Sequence, residues 1–188
     1  MLKLIELMTD PFERLLINYS NARKSWEAWC FLSNINLKKK NPELRKHVDE
    51  DGLLYHLRYL ALKDVHIESY KILKCSKNRN NNKDNVFRFL KAISLSDSKH
   101  EEAMRNLNEF EANNHLIEEI INARDKYFAH LDIDYKIYVK DAKPINDLYK
   151  CFELIEKSII TLTSLDYFTS YLNKTPSRDE FVITCLNL

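Results

Sequence analysis

A single glycine, Gly52, occurs in the 188 residues of this chain, and no other feature restricts its possible folds so strongly. Phosphate-cradling loops and dinucleotide-binding turns need several glycines, because their backbone adopts positive φ angles or approaches the ligand closely. The many tight turns of an all-β protein need glycine or proline, and the chain has only four prolines. The sequence therefore excludes P-loop and Rossmann-type sites. It predicts an all-α bundle of about four to five main helices with a short carboxyl-terminal element.

Size and composition predict one domain that spans residues 1–188, because 45% hydrophobic residues suffice for one buried core. A net charge of +1 argues against a general coat for nucleic acid or membrane surfaces, so a polyanion would have to bind at a local site. No stretch has the roughly 18 apolar residues of a membrane span or the pattern of a signal peptide. The four cysteines lie far apart without metal-ligand spacing. We therefore expect a cytoplasmic protein with no membrane partner, metal or cofactor.

Two long helices are predicted in the first half of the chain. Pro11 fits the first turn of a helix that runs to about residue 36. A second helix follows Gly52 and runs to about residue 77. Asp64 interrupts the apolar stripe predicted for this second helix, which consists of Leu53, Leu57, Leu60 and Ile67.

The second half begins with an asparagine-rich loop over residues 77–85, whose basic residues Lys77, Arg79 and Lys83 are candidates for binding RNA. A short helix is predicted over residues 85–93. A long helix over residues 98–129 would open with a capping box from Ser98 to Glu101 and bend at residues 113–114. A last major helix starts at Pro144 and has apolar residues three and four apart, and a short helix is expected from Ser177.

Arg124 lies on the apolar stripe of the long helix, together with Ile117 and Phe128. A guanidinium on such a face needs a carboxylate, a phosphate or access to water, because burying it alone is costly. Two partners are open from the sequence: Asp64 on the second helix, which would form an ion pair between helices, or a phosphate of RNA.

The stretch ARDKYFAHLD, residues 123–132, places Arg124 and His130 near the end of this helix. On an ideal helix six residues correspond to about 240° of rotation, so the two side chains converge only if the helix ends between them or two copies meet. The pattern of Arg124, Asp125, Lys126, His130 and Asp132 resembles the Arg-to-His motif of HEPN domains. The fuller RDK…AH.D form, in an all-helical chain of this size, is similar to the AbiU2-type HEPN proteins of bacterial abortive-infection systems.

This resemblance implies a HEPN-like bundle that acts as a metal-independent endoribonuclease, a toxin or phage-defence effector whose homodimer forms one composite cleft. Arg124 and His130 would be its catalytic pair, and Asp125, Lys126, Asp132 and Asp64 would support them. A histidine with a pKa near 6.5 suits the proton transfers that RNA cleavage to a 2′,3′-cyclic phosphate and a 5′-hydroxyl requires. An antitoxin protein is a further partner that the resemblance allows.

Two other interpretations stay open at this point. The chain could be a non-catalytic HEPN module that binds RNA or a partner protein in the same groove. It could also be a helical scaffold in which Arg124 pairs with Asp64. We expect the remaining histidines and the two tryptophans, Trp26 and Trp29, to be packing or surface residues, because no metal-ligand spacing connects the histidines.

Overall fold

The computed structural model describes residues 11–33, 53–74, 85–128 and 145–173, and every regular element in these ranges is a helix. The predicted all-α bundle is therefore confirmed. The helices of the described ranges are, in chain order, α1 Pro11–Leu32, α2 Leu53–Leu73, α3 Val86–Lys91, α4 His100–Ala112, α5 Asn114–Ala123, a π-helical turn Arg124–Phe128 (the π-turn), α6 Ile145–Leu162 and α7 Leu165–Asn173.

Helices α1 and α2 pack along each other in opposite directions. The end of α1 meets the start of α2, where Trp29 is buried with Tyr59 and Leu62. Farther along, the hydroxyl of Ser25 donates to the Asp64 carboxylate at 2.6 Å. The predicted start of α1 at Pro11 is confirmed, and the two helices end at Leu32 and Leu73, about four residues before the predicted ends near 36 and 77.

The face that α2 buries differs from the predicted one. Leu53, Leu57 and Leu60 are 73%, 43% and 41% exposed, so the predicted apolar stripe is wrong. Periodicity shows that an apolar face exists, but α2 is apolar on more than one side, and the pattern alone does not show which side meets α1. The residues that α2 buries are Tyr59, Leu62, Val65, His66, Glu68, Ser69, Ile72 and Leu73.

The short helix α3 confirms the helix predicted over residues 85–93, and Asn85 caps it. The Asn85 side-chain oxygen accepts a hydrogen bond from the amide of Phe87 at 2.9 Å, which satisfies one of the free donors of the first turn. The amide nitrogen of the same side chain donates to the carbonyl oxygen of Lys74. Asn85 therefore ties the end of α2 to the start of α3.

The long helix predicted over residues 98–129 is broken at Asn113, as expected, into α4 and α5. Its predicted capping box is wrong. The residue before α4 is Lys99, which makes no side-chain cap bond, and the Asp97 carboxylate accepts from the Lys99 amide at 2.8 Å. An aspartate one residue earlier in the chain provides the acceptor that the sequence assigned to Ser98.

Helix α6 supplies much of the central core, and its predicted apolar face is confirmed by the buried residues Leu148, Phe152, Ile155 and Ile159. Polar contacts also join it to neighbouring helices. Asn106 of α4 donates to the hydroxyl of Thr161 at 2.9 Å, and the buried Tyr19 of α1 donates to the Glu156 carboxylate. Helix α7 was not predicted, and the helix predicted from Ser177 lies outside the described residues.

Candidate functional site

The π-turn carries the first part of the Arg-to-His motif. Hydrogen bonds in a π-helix reach five residues instead of four, and single π-turns inside α-helices often occur at functional sites. Ala123 and Phe128 are five residues apart and are both buried against α2. An ideal α-helix would place them about 140° apart around its axis, so the wider turn is what lets both face inward.

A small apolar cluster fixes the π-turn on the α1–α2 pair. Phe128 is 3% exposed, and its ring lies 6.2 Å from that of Tyr59 and 4.7 Å from that of His66, measured between centroids. Trp29 and Leu62 complete this cluster, which is separate from the main core. The expectation that Trp29 is a packing residue is therefore confirmed. The same cluster fixes the backbone of the π-turn that carries Arg124.

His66 is the buried histidine of this region. Its Nδ1 lies 2.8 Å from the carbonyl oxygen of Leu62, and a carbonyl can only accept, so Nδ1 carries the proton. Burial lowers the pKa of the His66 imidazole to about 4, although the bond to Leu62 acts in the opposite direction. The ring is neutral at pH 7 and packs on the π-turn, which agrees with its expected role as a packing residue.

Arg124 makes two contacts at the start of the π-turn. Its Nη1 donates to the carboxylate of the adjacent Asp125 at 2.7 Å, and its guanidinium carbon lies 4.2 Å from the centre of the Tyr70 ring. The side chain is 32% exposed, while its Nε is buried and has no hydrogen-bond partner in the described part of the chain. Arg124 is therefore held in place with its hydrogen-bonding capacity only partly used.

Lys74 brings a second cation to the same place. Its Nζ lies 4.4 Å from the centre of the Tyr70 ring, donates to the Tyr70 hydroxyl and stands 3.9 Å from the Asp125 carboxylate. Tyr70 thus has Arg124 and Lys74 against it, and Asp125 lies between the two charges. This cluster of Tyr70, Lys74, Arg124 and Asp125, which we call the Tyr70 cluster, joins α2 to the π-turn.

The ion pair between Arg124 and Asp64, one of the two partners considered from the sequence, does not form. Asp64 is half-buried in α2 and accepts the Ser25 hydroxyl, whereas Arg124 pairs with Asp125. The prediction followed from placing Asp64 on the buried stripe of α2, which proved to be the wrong face. Lys126 is exposed, with its Nζ 4.9 Å from the centre of the Tyr127 ring.

His130 and Asp132, the other two predicted residues of the motif, lie outside the described residues, as do the loop residues Lys77, Arg79 and Lys83. Their predicted roles remain predictions. Sequence reasoning missed Tyr70 and Lys74, although a signal existed. They are four residues apart, so they share one face of the last turns of α2, and an aromatic ring is a known partner for an arginine.

Within the described ranges, no three histidine, cysteine, aspartate or glutamate residues come together in a way that could hold a metal ion. No helix there is both long and apolar enough to cross a membrane. What the described site offers is therefore two cations, a carboxylate and an aromatic ring at a partly exposed surface. Comparison of the chain with protein-family models, curated proteins and solved structures gave no match in any of the three.

Proposed function

We propose that this protein is a metal-independent endoribonuclease of a toxin or phage-defence system, which acts in the cytoplasm as a homodimer. The observation that carries the proposal is the placement of Arg124. It stands at a π-turn anchored by a buried cluster, is partly exposed, and has a second cation, Lys74, beside it. Two cations at a partly exposed surface suit a phosphodiester, because arginine and lysine both bind phosphate oxygens.

The proposed chemistry needs two proton transfers. One His130 imidazole, acting as general base, takes the proton of a ribose 2′-hydroxyl, whose oxygen then attacks the adjacent phosphorus. The bond from phosphorus to the 5′-oxygen breaks, and the partner subunit's His130, as imidazolium, protonates that oxygen. The products are a 2′,3′-cyclic phosphate and a 5′-hydroxyl. Arg124 stabilises the charge that develops on the phosphate, and no metal is required.

Supporting roles follow from position in the sequence. Asp132 would orient the His130 ring, and Lys126, which is exposed, would add positive charge toward the RNA backbone. Lys77, Arg79 and Lys83 would contact phosphates farther along the strand. Each such contact with single-stranded RNA contributes about 0.7 to the slope of log affinity against log salt concentration, so the triple glutamine variant should bind with a smaller slope.

The primary test is RNA cleavage by the purified full chain in the presence of EDTA. We expect cleavage products with cyclic phosphate ends, and we expect His130→Ala and Arg124→Ala to abolish cleavage while their melting temperatures stay close to that of the wild type. A folded wild-type protein that binds RNA without cutting it would contradict the proposed enzymatic activity and favour the alternative, a non-catalytic binding module.

The composite site can be tested by mixing subunits. Co-expression of wild-type and His130→Ala chains at different ratios gives mixed dimers of known composition. If cleavage needs both histidines, activity falls with the square of the wild-type fraction, and if each subunit acts alone, it falls in direct proportion. A monomer in solution, or a linear dependence, would contradict the composite cleft.

A further inference from the structure

The Tyr70 cluster places a carboxylate of the chain, that of Asp125, between two cations. Arg124 and Lys74 come from different elements and both contact Tyr70. The guanidinium carbon of Arg124 lies 4.2 Å from the centre of the Tyr70 ring, and Lys74 Nζ donates to the Tyr70 hydroxyl. Tyr70 therefore fixes the separation of the two charges, with one at its ring through a cation–π contact and the other at its hydroxyl. Two cations held side by side attract an anion between them, and Asp125 supplies one.

The Asp125 carboxylate resembles one part of RNA. It has two oxygens that share one negative charge, as do the two non-bridging oxygens of a phosphodiester. One oxygen accepts from Arg124 at 2.7 Å, and the other lies 3.9 Å from Lys74 Nζ. A phosphodiester in the same position could address the same two cations, because guanidinium groups bind carboxylate and phosphate in similar geometries.

Asp125 is also a weak ligand for this site. It takes a single hydrogen bond from Arg124, through Nη1, and the buried Nε has no partner in the described ranges. The side chains of Arg124, Lys74 and Asp125 are 32%, 35% and 46% exposed, so water screens the attraction and an incoming anion can reach it. Asp125 and Arg124 are adjacent, so the carboxylate can swing away by rotation of its own side chain.

We propose that Arg124 and Lys74, carried on Tyr70, form a subsite for an RNA phosphodiester, and that Asp125 occupies this subsite in the free protein as an internal competitor. The proposal rests on the proposed ribonuclease function and adds two residues to it. Lys74 becomes a phosphate-binding residue, and Tyr70 becomes a positioning residue that holds both cations. It also changes the role of Asp125 from a support of Arg124 to a group that RNA must displace.

The experiment measures binding of a 2′-O-methyl RNA oligonucleotide, which keeps its phosphates but cannot be cleaved. We expect Asp125→Asn to bind it about fivefold more tightly than the wild type, because the competing charge is removed. The matched control is Glu119→Gln, an equal change of charge at an exposed position of α5. Lys74→Gln should weaken binding of the oligonucleotide, also in the Asp125→Asn background. Tyr70→Leu should weaken binding as well, while its melting temperature stays close to that of the wild type.

Two results would overturn the inference. One is an Asp125→Asn variant that binds no more tightly than Glu119→Gln, and the other is a Lys74→Gln change that has no effect in the Asp125→Asn background. A parallel titration with inorganic phosphate tests the ligand, and an oligonucleotide that binds no better than inorganic phosphate overturns the assignment to RNA.

Failure of the inference and failure of the proposed function give different results. If the wild type cleaves RNA but Asp125→Asn does not bind it more tightly, the proposal that Asp125 competes with RNA is wrong and the proposed ribonuclease function is supported. If Asp125→Asn binds RNA more tightly but neither the wild type nor any variant cleaves it, the phosphodiester subsite is supported and the proposed ribonuclease function is wrong.

Discussion

His66 and Phe128 lie ring against ring beneath the π-turn, with centroids 4.7 Å apart and planes inclined by 37°. One belongs to the middle of α2 and the other ends the turn that begins with Arg124. The contact therefore connects a titratable group with no exposed surface to the backbone that positions the candidate site. Protonation of this imidazole would place a charge inside an apolar cluster, so the stability of the site should depend on pH.

The first prediction concerns that dependence. The pKa of His66 is about 4 in the folded protein and near 6.5 when unfolded. Between these values the unfolded chain binds a proton that the folded protein does not. The free energy of unfolding should thus fall as pH drops from 6.5 to 4, by about 3 kcal/mol in total. Urea denaturation across this range measures it.

A matched pair of variants assigns the effect to His66. His66→Asn keeps a donor near the Leu62 carbonyl and cannot titrate, so its stability profile should be flatter between pH 6.5 and 4, even if its stability at pH 7 is lower. His56→Gln, which removes a histidine at an exposed position of α2, is the matched control for the substitution itself. If the free energy of unfolding depends on pH equally in the wild type and in His66→Asn, the assignment to His66 is refuted.

A second prediction concerns Arg124. It pairs with Asp125 at a partly exposed surface and not with Asp64, so Arg124→Ala should lower the free energy of unfolding by only about 1 kcal/mol. Breaking a buried ion pair would cost about 3 to 5 kcal/mol. A double-mutant cycle should give coupling near zero for Arg124 with Asp64 and measurable coupling with Asp125. A large loss of stability would support the scaffold interpretation.

A third prediction concerns Asn85, which caps α3 and donates to the Lys74 carbonyl. Asn85→Ala removes both bonds and should destabilise the protein by about 1 to 2 kcal/mol. Asn85→Ser keeps a capping oxygen but cannot reach Lys74 in the same way, so it should cost less. Urea denaturation compares the two. Equal stability of Asn85→Ala and wild type would mean that this junction contributes nothing measurable.

A fourth prediction concerns the contact between α1 and α6. Burial and the neighbouring Glu156 carboxylate raise the pKa of the Tyr19 hydroxyl, so it remains a donor throughout the usual pH range. Tyr19→Phe removes the donor and leaves Glu156 bonded to Arg23 alone, at a cost of about 1 to 2 kcal/mol. Tyr149→Phe, with 59% exposure, is the control and should change little. Urea denaturation tests this prediction: the midpoint should fall for Tyr19→Phe and not for Tyr149→Phe, while the dependence of the free energy of unfolding on urea concentration stays the same.

Much of the fold could be predicted from the sequence, because its signals are local. Scarcity of glycine gave the class, Pro11 marked the start of α1, and the spacing of apolar residues identified α6. The buried face of α2 could not be predicted, because both of its sides carry apolar residues and the choice depends on contact with α1. The sequence did not show that Asp97 and not Ser98 accepts a hydrogen bond before α4, because both side chains lie close enough to compete for the same backbone amides.

The candidate site could be predicted only in part. An arginine on an apolar stripe indicated that a partner was required, and this was correct for Arg124. Its partners, the adjacent Asp125 and the Tyr70 ring, could not follow from periodicity, because Tyr70 meets Arg124 only through the packing of the π-turn on α2. The π-turn itself has no simple sequence signature, since it arises from two anchors, Ala123 and Phe128, that must both be buried.

The wider turn makes this region sensitive to the number of residues as well as to their chemistry. Removal of one residue between Ala123 and Phe128 would bring these anchors to the spacing of an ordinary α-helix and allow the helical ladder to close. Phe128 would then still face α2, because two side chains four residues apart lie on the same face of an α-helix. A one-codon deletion at Lys126 or Tyr127 would therefore keep both anchors, Arg124 and Asp125 while it removes the wide turn, which makes it a sharper probe of what the π-turn contributes than a point substitution.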